Sequence, residues 1–238
     1  MLRSILSLLG GLFTFITMGF FGAALTIGAV FWMYGRDLPS HASLAQYKPP
    51  TISRIYSGEG KLIDEFARER RLFAAAEDIP IVIKQAFISA EDKNFYSHPG
   101  YDLRGIVAAA VDAARSRGRN LRGASTITQQ VMKNFLLDGS RRAERKIKEI
   151  ILATRIERTL DKEKILELYL NEIFLGQNSF GVTAAAQTYF NKTLGELAPH
   201  EAAFLASLPK APSDFHPVRR KKRLLQRRNY VLQEMWQN

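Results

Sequence analysis

The chain has no cysteine. Disulfides, thiolate metal sites and cysteine nucleophiles are therefore excluded, while the redox compartment stays open. It also has no charged residue from Ser4 to Gly35. A bilayer-crossing helix needs about 20 apolar residues to span roughly 30 Å of hydrocarbon, and this run is longer. It is rich in Phe, Leu, Ile and Gly and ends with Trp32 and Tyr34, which suit a membrane interface. A cleaved signal peptide would have a shorter apolar stretch and a small-residue cleavage site. Neither is found, so residues 1–36 read as an uncleaved N-terminal membrane anchor. Internal repeats and any recognised metal-ligand spacing are lacking too.

What is present is positive charge. The formal net charge is +11 over 238 residues, a length that fits one medium domain plus an appendage. Arg3 is the only charge before Arg36, so nearly all of the excess lies beyond the apolar run. Such charge serves solubility, nucleic acid, anionic lipid or an anionic substrate. A basic domain tethered to a bilayer meets lipid phosphates first, which makes nucleic acid the poorer partner.

Asp37 to Pro50 reads as a proline-marked linker. Thr51 to Phe66 alternates on both sides of Ser57-Gly58-Glu59-Gly60 and predicts a β-hairpin. Asp78-Ile79-Pro80 starts a helix that should run to about Glu91. Leu103 to Ala114 predicts another helix, and Arg115 to Gly123 a basic loop, either a solvated connection or a mobile lid. Ser125 or Thr126 caps the next helix, with Thr126 and Gln129 at capping-box spacing. Arg141 to Leu160 predicts a long, largely apolar helix, and Lys162 to Leu175 one ended by Gly176. Gly181 to Phe190 and His200 to Leu208 predict two more. The basic run Arg219 to Arg228 leads into a final amphipathic helix. The part beyond the anchor is thus mainly α.

Two blocks carry the chemistry. Glu91 to Asp102 reads E-D-K-N-F-Y-S-H-P-G-Y-D. A carboxylate at a helix C-terminus, near Phe87 and Phe95, has its pKa raised and makes a better general base. Alone, it is more often an ordinary surface glutamate. Asp92, His98 and Asp102 could join Glu91 in a metal site, but a loop histidine is more often a structural hydrogen-bonder. The second block, Gly123 to Asn134, opens a helix whose N–H groups and dipole suit a phosphate. Gln129, Gln130 and Lys133 share a face of it. Further on, Glu149 lies on the face of Leu152, Ala153 and Ile156, with Arg145 and then Arg141 one and two turns back. A carboxylate on an apolar face is costly unless paired or functional.

Two glutamates and a cationic track suggest a division of labour. A sugar 4-hydroxyl is a poor nucleophile and needs a base, which suits Glu91. A departing diphosphate needs positive charge rather than a proton, which suits Lys133, Arg141, Arg145 and Lys146, oriented by Glu149. A hydrolase also uses two carboxylates, but one must protonate the departing oxygen. A lysozyme-type cleaving enzyme and a non-enzymatic basic membrane scaffold therefore stay as alternatives.

The blocks at 91–102, 123–134, 145–149 (R-K-x-x-E), 165–171 (I-L-E-L-Y-L-N) and 208–213 (L-P-K-A-P-S) occur in one order. Together they resemble the peptidoglycan glycosyltransferase domain of class A penicillin-binding proteins, of the 1A type. The resemblance covers roughly residues 77 to 236, and it implies a lysozyme-like, α-helical domain with a mobile membrane-proximal jaw around 103–145. The implied organisation is an anchor at 1–36, a linker and hairpin at 37–76, and the glycosyltransferase domain at 77–238. The implied substrate is lipid II, polymerised with inversion into β-1,4-linked glycan on the outer face of the bacterial plasma membrane, the N-terminus being cytoplasmic.

Carried over residue by residue, Glu91 is the base, Glu149 the second catalytic glutamate, and Lys133 and Arg141 hold the donor diphosphate. Ser125, Thr126, Gln129 and Gln130 line the cleft. Asp92, Phe95, His98, Asp102, Gly123, Asn134, Arg145, Lys146 and Asn171 complete the expected substrate-binding set. No cofactor is required by the sequence. A divalent cation, Mg or Mn, is often found to help such enzymes at the diphosphate, but no dedicated site is offered. Other cell-wall synthesis proteins are expected partners. Class A proteins continue into a transpeptidase domain with a nucleophilic serine in S-x-x-K, which is not expected among these residues.

Overall fold

The computed structural model describes residues 2–36, 38, 53–66, 70–116, 123–136 and 142–238. Most of the expected linker, most of the basic loop between Arg115 and Gly123, and Arg141 lie outside the described residues.

The first element is helix α1 (Leu2–Gly35). Its stretch Leu9–Gly35 is, by length and composition, enough to cross a membrane. The hydroxyls of Thr14, Thr17 and Thr26 donate to carbonyls four residues back, at 2.7 to 2.9 Å, which hides their polarity. Its described side chains are mostly exposed until the end, where Val30 and Tyr34 are half-buried and Gly35 is buried.

The hairpin is observed as β1 (Ser53–Tyr56) and β2 (Leu62–Phe66), antiparallel, with Ser53 opposite Phe66. Its turn closes through Ser57, which exchanges backbone hydrogen bonds with Lys61 and Gly60. Gly60 takes φ +77°, a value a side chain resists. A short β3 (Arg70–Arg71) then pairs in parallel with β4 (Ser179–Phe180).

The rest is helical: α2 (Ile81–Glu91), α3 (Leu103–Arg115), α4 (Ile127–Leu136), α5 (Arg142–Ile156), α6 (Lys162–Glu172), α7 (Val182–Phe190), α8 (Pro199–Leu205) and α9 (Lys221–Gln237). Helix α6 is the centre, buried at every residue from Ile165 to Glu172. Helix α4 packs on α5 and α6, and α2 packs on α8 and α9. Phe87 of α2 meets Tyr169 of α6 edge to face at 6.1 Å. Helix α3 stands apart, with no buried residue, in the region expected as the jaw.

Three boundaries differ from the sequence reading. Helix α5 stops at Ile156 because Thr159 and Leu160 turn back on the Ile156 carbonyl. It is also not apolar all round. Glu149, Ile151, Leu152, Ala153 and Ile156 are buried, and the other described residues of α5 are half-exposed. Helix α6 stops at Glu172, not Leu175, because the Ile173 carbonyl accepts from Gly181 N–H and Leu175 N–H donates to Ser179. Gly176 (φ +85°) sits in that reversal rather than capping the helix. Most of the basic run before Arg228 is already inside α9.

The polar groups buried on α6 fix the approach to α2. Asn171 Oδ1 accepts from Ala74 N–H and its Nδ2 donates to Ala74 O, both at 2.8 Å. Glu167 accepts from Ala76 N–H at 3.0 Å, and Glu172 pairs with Arg71. These bonds pin residues 71–76 to the core and so set where α2 begins and where Glu91 ends it.

Candidate active site

A cleft of about 750 Å³ opens between the end of α2, the start of α3, α4, α5 and the Pro209–Tyr230 region. Glu91 lies in its wall as the last residue of α2, only 15% of its side chain exposed. Gln130 Nε2 donates to Glu91 Oε2 at 3.2 Å, and Arg227 Nη2 lies 3.6 Å from Oε1. Burial pushes the Glu91 pKa above its ordinary value of 4.5, and the neighbouring Asp92 adds to this. Gln130, Arg227 and Lys210 pull the other way and are outweighed.

Next to it, Asp92 is buried and fully engaged. Its Oδ2 accepts from Ile127 N–H at 2.9 Å and from His98 Nε2 at 2.9 Å. His98 Nδ1 accepts from Gly100 N–H at 3.1 Å, so the ring proton belongs on Nε2, facing Asp92. This is a structural histidine. Asp102 caps α3, accepting from Gly105 N–H at 3.0 Å and from Asn94 at 2.9 Å, and these bonds hold it below the usual carboxylate range. Among the described residues, no group of three or more His, Asp or Glu is placed to hold a metal ion.

The opening turn of α4 departs from expectation. Two of its N–H groups are already taken by side chains of the chain itself. Ile127 N–H is taken by Asp92, and Gln129 N–H by Thr126 Oγ1 at 3.2 Å. The anion at this helix start is a residue of the chain itself. Only half of the capping box forms, because Gln129 turns its side chain to Gly100 O and to Lys146. Gly123 is exposed, with nothing within 4 Å of where a Cβ would stand, so close approach to protein atoms does not explain it.

The cationic wall is built on α5. Lys146 Nζ donates to Ser125 Oγ at 2.7 Å, Gln129 Oε1 at 2.7 Å and Glu149 Oε2 at 3.0 Å. Arg145 Nε lies 3.5 Å from Glu149 Oε1. The buried Glu149 thus has two cations, which meets the requirement that a buried charge be paired. Lys133 is exposed at the cleft with no hydrogen-bond or ion-pair partner among the described residues.

The structure therefore gathers Glu91, Asp92, Asp102, Gly123, Ser125, Thr126, Gln129, Gln130, Lys133, Arg145, Lys146 and Glu149 around one cleft. It does not bring four expected residues to that wall. Phe95 is fully buried in the core. His98 holds Asp92 from behind, Asn134 is exposed on α4 away from the cleft lining, and Asn171 is spent on Ala74. Arg141 lies outside the described residues.

Several lining residues were missed from sequence: Lys93, Arg104, Lys210, Arg227 and Tyr230. The signal for Arg227 was its spacing. Leu224, Val231 and Glu234 mark the buried face of α9, and Arg227 falls on that face within a run that otherwise reads as solvated charge. The expectation of no S-x-x-K also needs correction. Ser207-Leu208-Pro209-Lys210 has that form. Ser207 is completely buried and its hydroxyl donates to Ala203 O at 2.7 Å, so it is no nucleophile.

Comparison with known proteins gives the family of the chain. The transglycosylase family model matches residues 59–236. Penicillin-binding protein 1A of Rickettsia felis is 52% identical over 211 residues, which cover 88% of this chain and 27% of the relative. Penicillin-binding protein 1A of Aquifex aeolicus is 47% identical over 200 residues, covering 84% of this chain and 27% of the relative. The crystal structure of penicillin-binding protein 1A from Haemophilus influenzae aligns with TM-score 0.44 and 32% identity, over 79% of this chain and 18% of that one. The chain spans under a third of the length of these relatives. It belongs to the transglycosylase family, and the part that the family model matches is a peptidoglycan glycosyltransferase domain.

Proposed function

We propose that this domain, residues 77–238, polymerises lipid II at a bilayer surface, with inversion and release of a lipid diphosphate. The carrying observation is that Glu91, buried and held above its ordinary pKa, faces the same cleft as Lys133, Arg145 and Lys146. The growing glycan occupies the donor side and lipid II the acceptor side. Glu91 takes the proton of the acceptor 4-hydroxyl. That oxygen attacks the donor anomeric carbon from the face opposite the diphosphate, forming the β-1,4 bond. The bond from carbon to diphosphate oxygen breaks, and its electron pair leaves with the phosphate. Lys133, Arg145 and Lys146 hold the growing negative charge, with Arg141 expected beside them. Glu149 acts by fixing Lys146 and Arg145 from within the wall.

A Mg or Mn ion at the diphosphate would take its ligands mainly from phosphate oxygens and water, since the chain offers no preassembled set among its described residues. In this reading α1 spans the plasma membrane once, N-terminus inside, with the cleft outside and other cell-wall synthesis proteins nearby. Transpeptidation is not assigned to these residues.

The test is incubation of the detergent-solubilised chain with labelled lipid II, products being read on a gel. Polymer ladders are expected, and Glu91→Gln should lower their rate by about 10²–10⁴-fold, the usual worth of a general base. Wild-type polymer from the variant would remove Glu91 from the mechanism. Digestion of preformed glycan without dependence on the lipid diphosphate would replace the transferase with a lysozyme-type enzyme.

A further inference from the structure

Helix α1 is not merely attached to the domain by a linker. Its last carbonyl, that of Gly35, is gripped by the helix that builds the cationic wall of the cleft. Arg155 of α5 donates from Nη2 to Gly35 O at 2.9 Å. Gly35 is buried, and a Cβ placed there would stand 3.1 Å from that same nitrogen. A guanidinium at the carbonyl end of a long helix meets both an orphan acceptor and the negative end of the macrodipole. Arg36 adds a second cation to this end, its guanidinium 4.2 Å above the Trp32 ring. Leu38, just beyond, packs against the hydrophobic core of the catalytic domain. Helix α5 is also the element on which α1 packs.

We propose that Arg155 is a positioning residue that clasps the anchor to α5 and thereby sets the cleft at a fixed height and tilt over the bilayer. The clasp rests on the polymerase reading above. Arg155 follows Glu149 by six positions on one rigid helix, about 9 Å along its axis. Those six positions turn it away from the face that carries Glu149. One end of α5 therefore meets the substrate diphosphate while the other holds the anchor where it leaves the membrane. A lipid-borne diphosphate sits at the level of the headgroups and cannot rise to meet a misaligned cleft. If the clasp opens, the domain samples many orientations, and apparent substrate affinity drops by the fraction that is competent.

The test uses the full chain in proteoliposomes. Because the chain has no cysteine, spin labels can be placed at Met33→Cys, on the exposed face of α1, and at Arg158→Cys, beyond the end of α5. A single narrow distance distribution is expected. Arg155→Ala should broaden it, and Arg155→Lys, which still donates to the carbonyl, should largely restore it. Gly35→Val, a change in the anchor alone, should broaden it as Arg155→Ala does, and it leaves the fold of the catalytic domain untouched. With lipid II in the bilayer, both disruptive variants should raise KM about tenfold and leave kcat near wild type, on the scale of one charge-assisted hydrogen bond. With a short-chain, water-dispersed lipid II analogue they should match the wild type. Unchanged distance distributions would overturn the clasp, as would equal losses with both substrates. The distance measurement needs no turnover, so it decides the clasp even if lipid II is not the substrate.

Discussion

Glu91 shows how one side chain can be costly to the fold and useful to the chemistry. It is buried at the carbonyl end of α2, where both desolvation and the helix dipole oppose its charge. Arg227, Lys210 and Gln130 return part of that cost without cancelling it. A carboxyl whose pKa is raised by folding binds its proton more tightly in the folded state. Its favourable contribution is complete below the ordinary value and is lost as pH rises through the folded value. Glu91→Gln cannot ionise, so it escapes this loss. Below pH 4.5 the variant and the wild type should melt at similar temperatures. As pH rises the variant should become the more stable, the gap levelling off once the folded carboxyl has ionised. Thermal melts from about pH 4 to about pH 8 check this. A gap that is flat or reversed would mean that Arg227 and Gln130 outweigh burial. The variant that loses polymerisation should therefore be the sturdier protein near neutrality, a common relation between active-site residues and stability.

Elements position such residues, and the loop from Asp92 to Asp102 is positioned by contacts that no local pattern announces. Gly100 has φ +93°, and a Cβ there would stand 2.7 Å from Ala153 O of α5. The glycine is thus required twice, by its backbone angle and by the approach of α5. Its carbonyl accepts from Thr126 Oγ1 at 2.8 Å, which ties the loop to α4. Lys162 donates to His98 O at 2.8 Å and to Glu157 at 2.7 Å, which ties it to α5 and α6. Gly100→Ala should destabilise by about 1–3 kcal/mol, the usual range for strain at positive φ, and should lower polymerisation through displaced Glu91 and Asp92. Urea unfolding and the lipid II assay measure the two effects. Full stability would show that α5 can yield here. The helices themselves were legible because their periodicity and starts are local, as the cap at Thr126 shows. The ends of α5 and α6 were not, because they are decided by bonds to distant or returning segments. The same holds for the site. Glu91, Lys133 and Glu149 stand in compact blocks, whereas Asn171 looked like a ligand until Ala74, far earlier in the chain, was seen to occupy it. Arg227 was hidden because its partner Glu91 comes from the other end of the domain.

At the scale of the whole molecule, in the proposed reading an apolar helix and a basic domain put a cationic cleft beside an anionic surface. Seven cations line the cleft against four carboxylates. Of the four, Asp92 is buried and turned inward, accepting from His98 and Ile127, and Glu149 is paired with Arg145 and Lys146. What remains facing the solvent is positive and suits a diphosphate. Exposed charges act through water and are screened within about 10 Å at 0.1 M salt. The contribution of Lys133 and Arg104, both exposed, should therefore fade with salt, while Lys146, held against the buried Glu149, should be affected much less. For the full chain in vesicles of neutral lipid, KM for lipid II should rise several-fold between about 0.05 and about 0.5 M sodium chloride. The value of kcat should change less, because of the three described cations that hold the transition-state charge only Lys133 is unpaired among the described residues, while Arg145 and Lys146 are tied to the buried Glu149. Lys133→Ala should raise KM at low salt and flatten the dependence, since it removes one of the screened charges. Neutral vesicles are needed because anionic lipid would add its own salt-sensitive attraction for the basic domain. A KM indifferent to salt would mean that substrate is held by its sugars and lipid, with the exposed cations serving solubility alone.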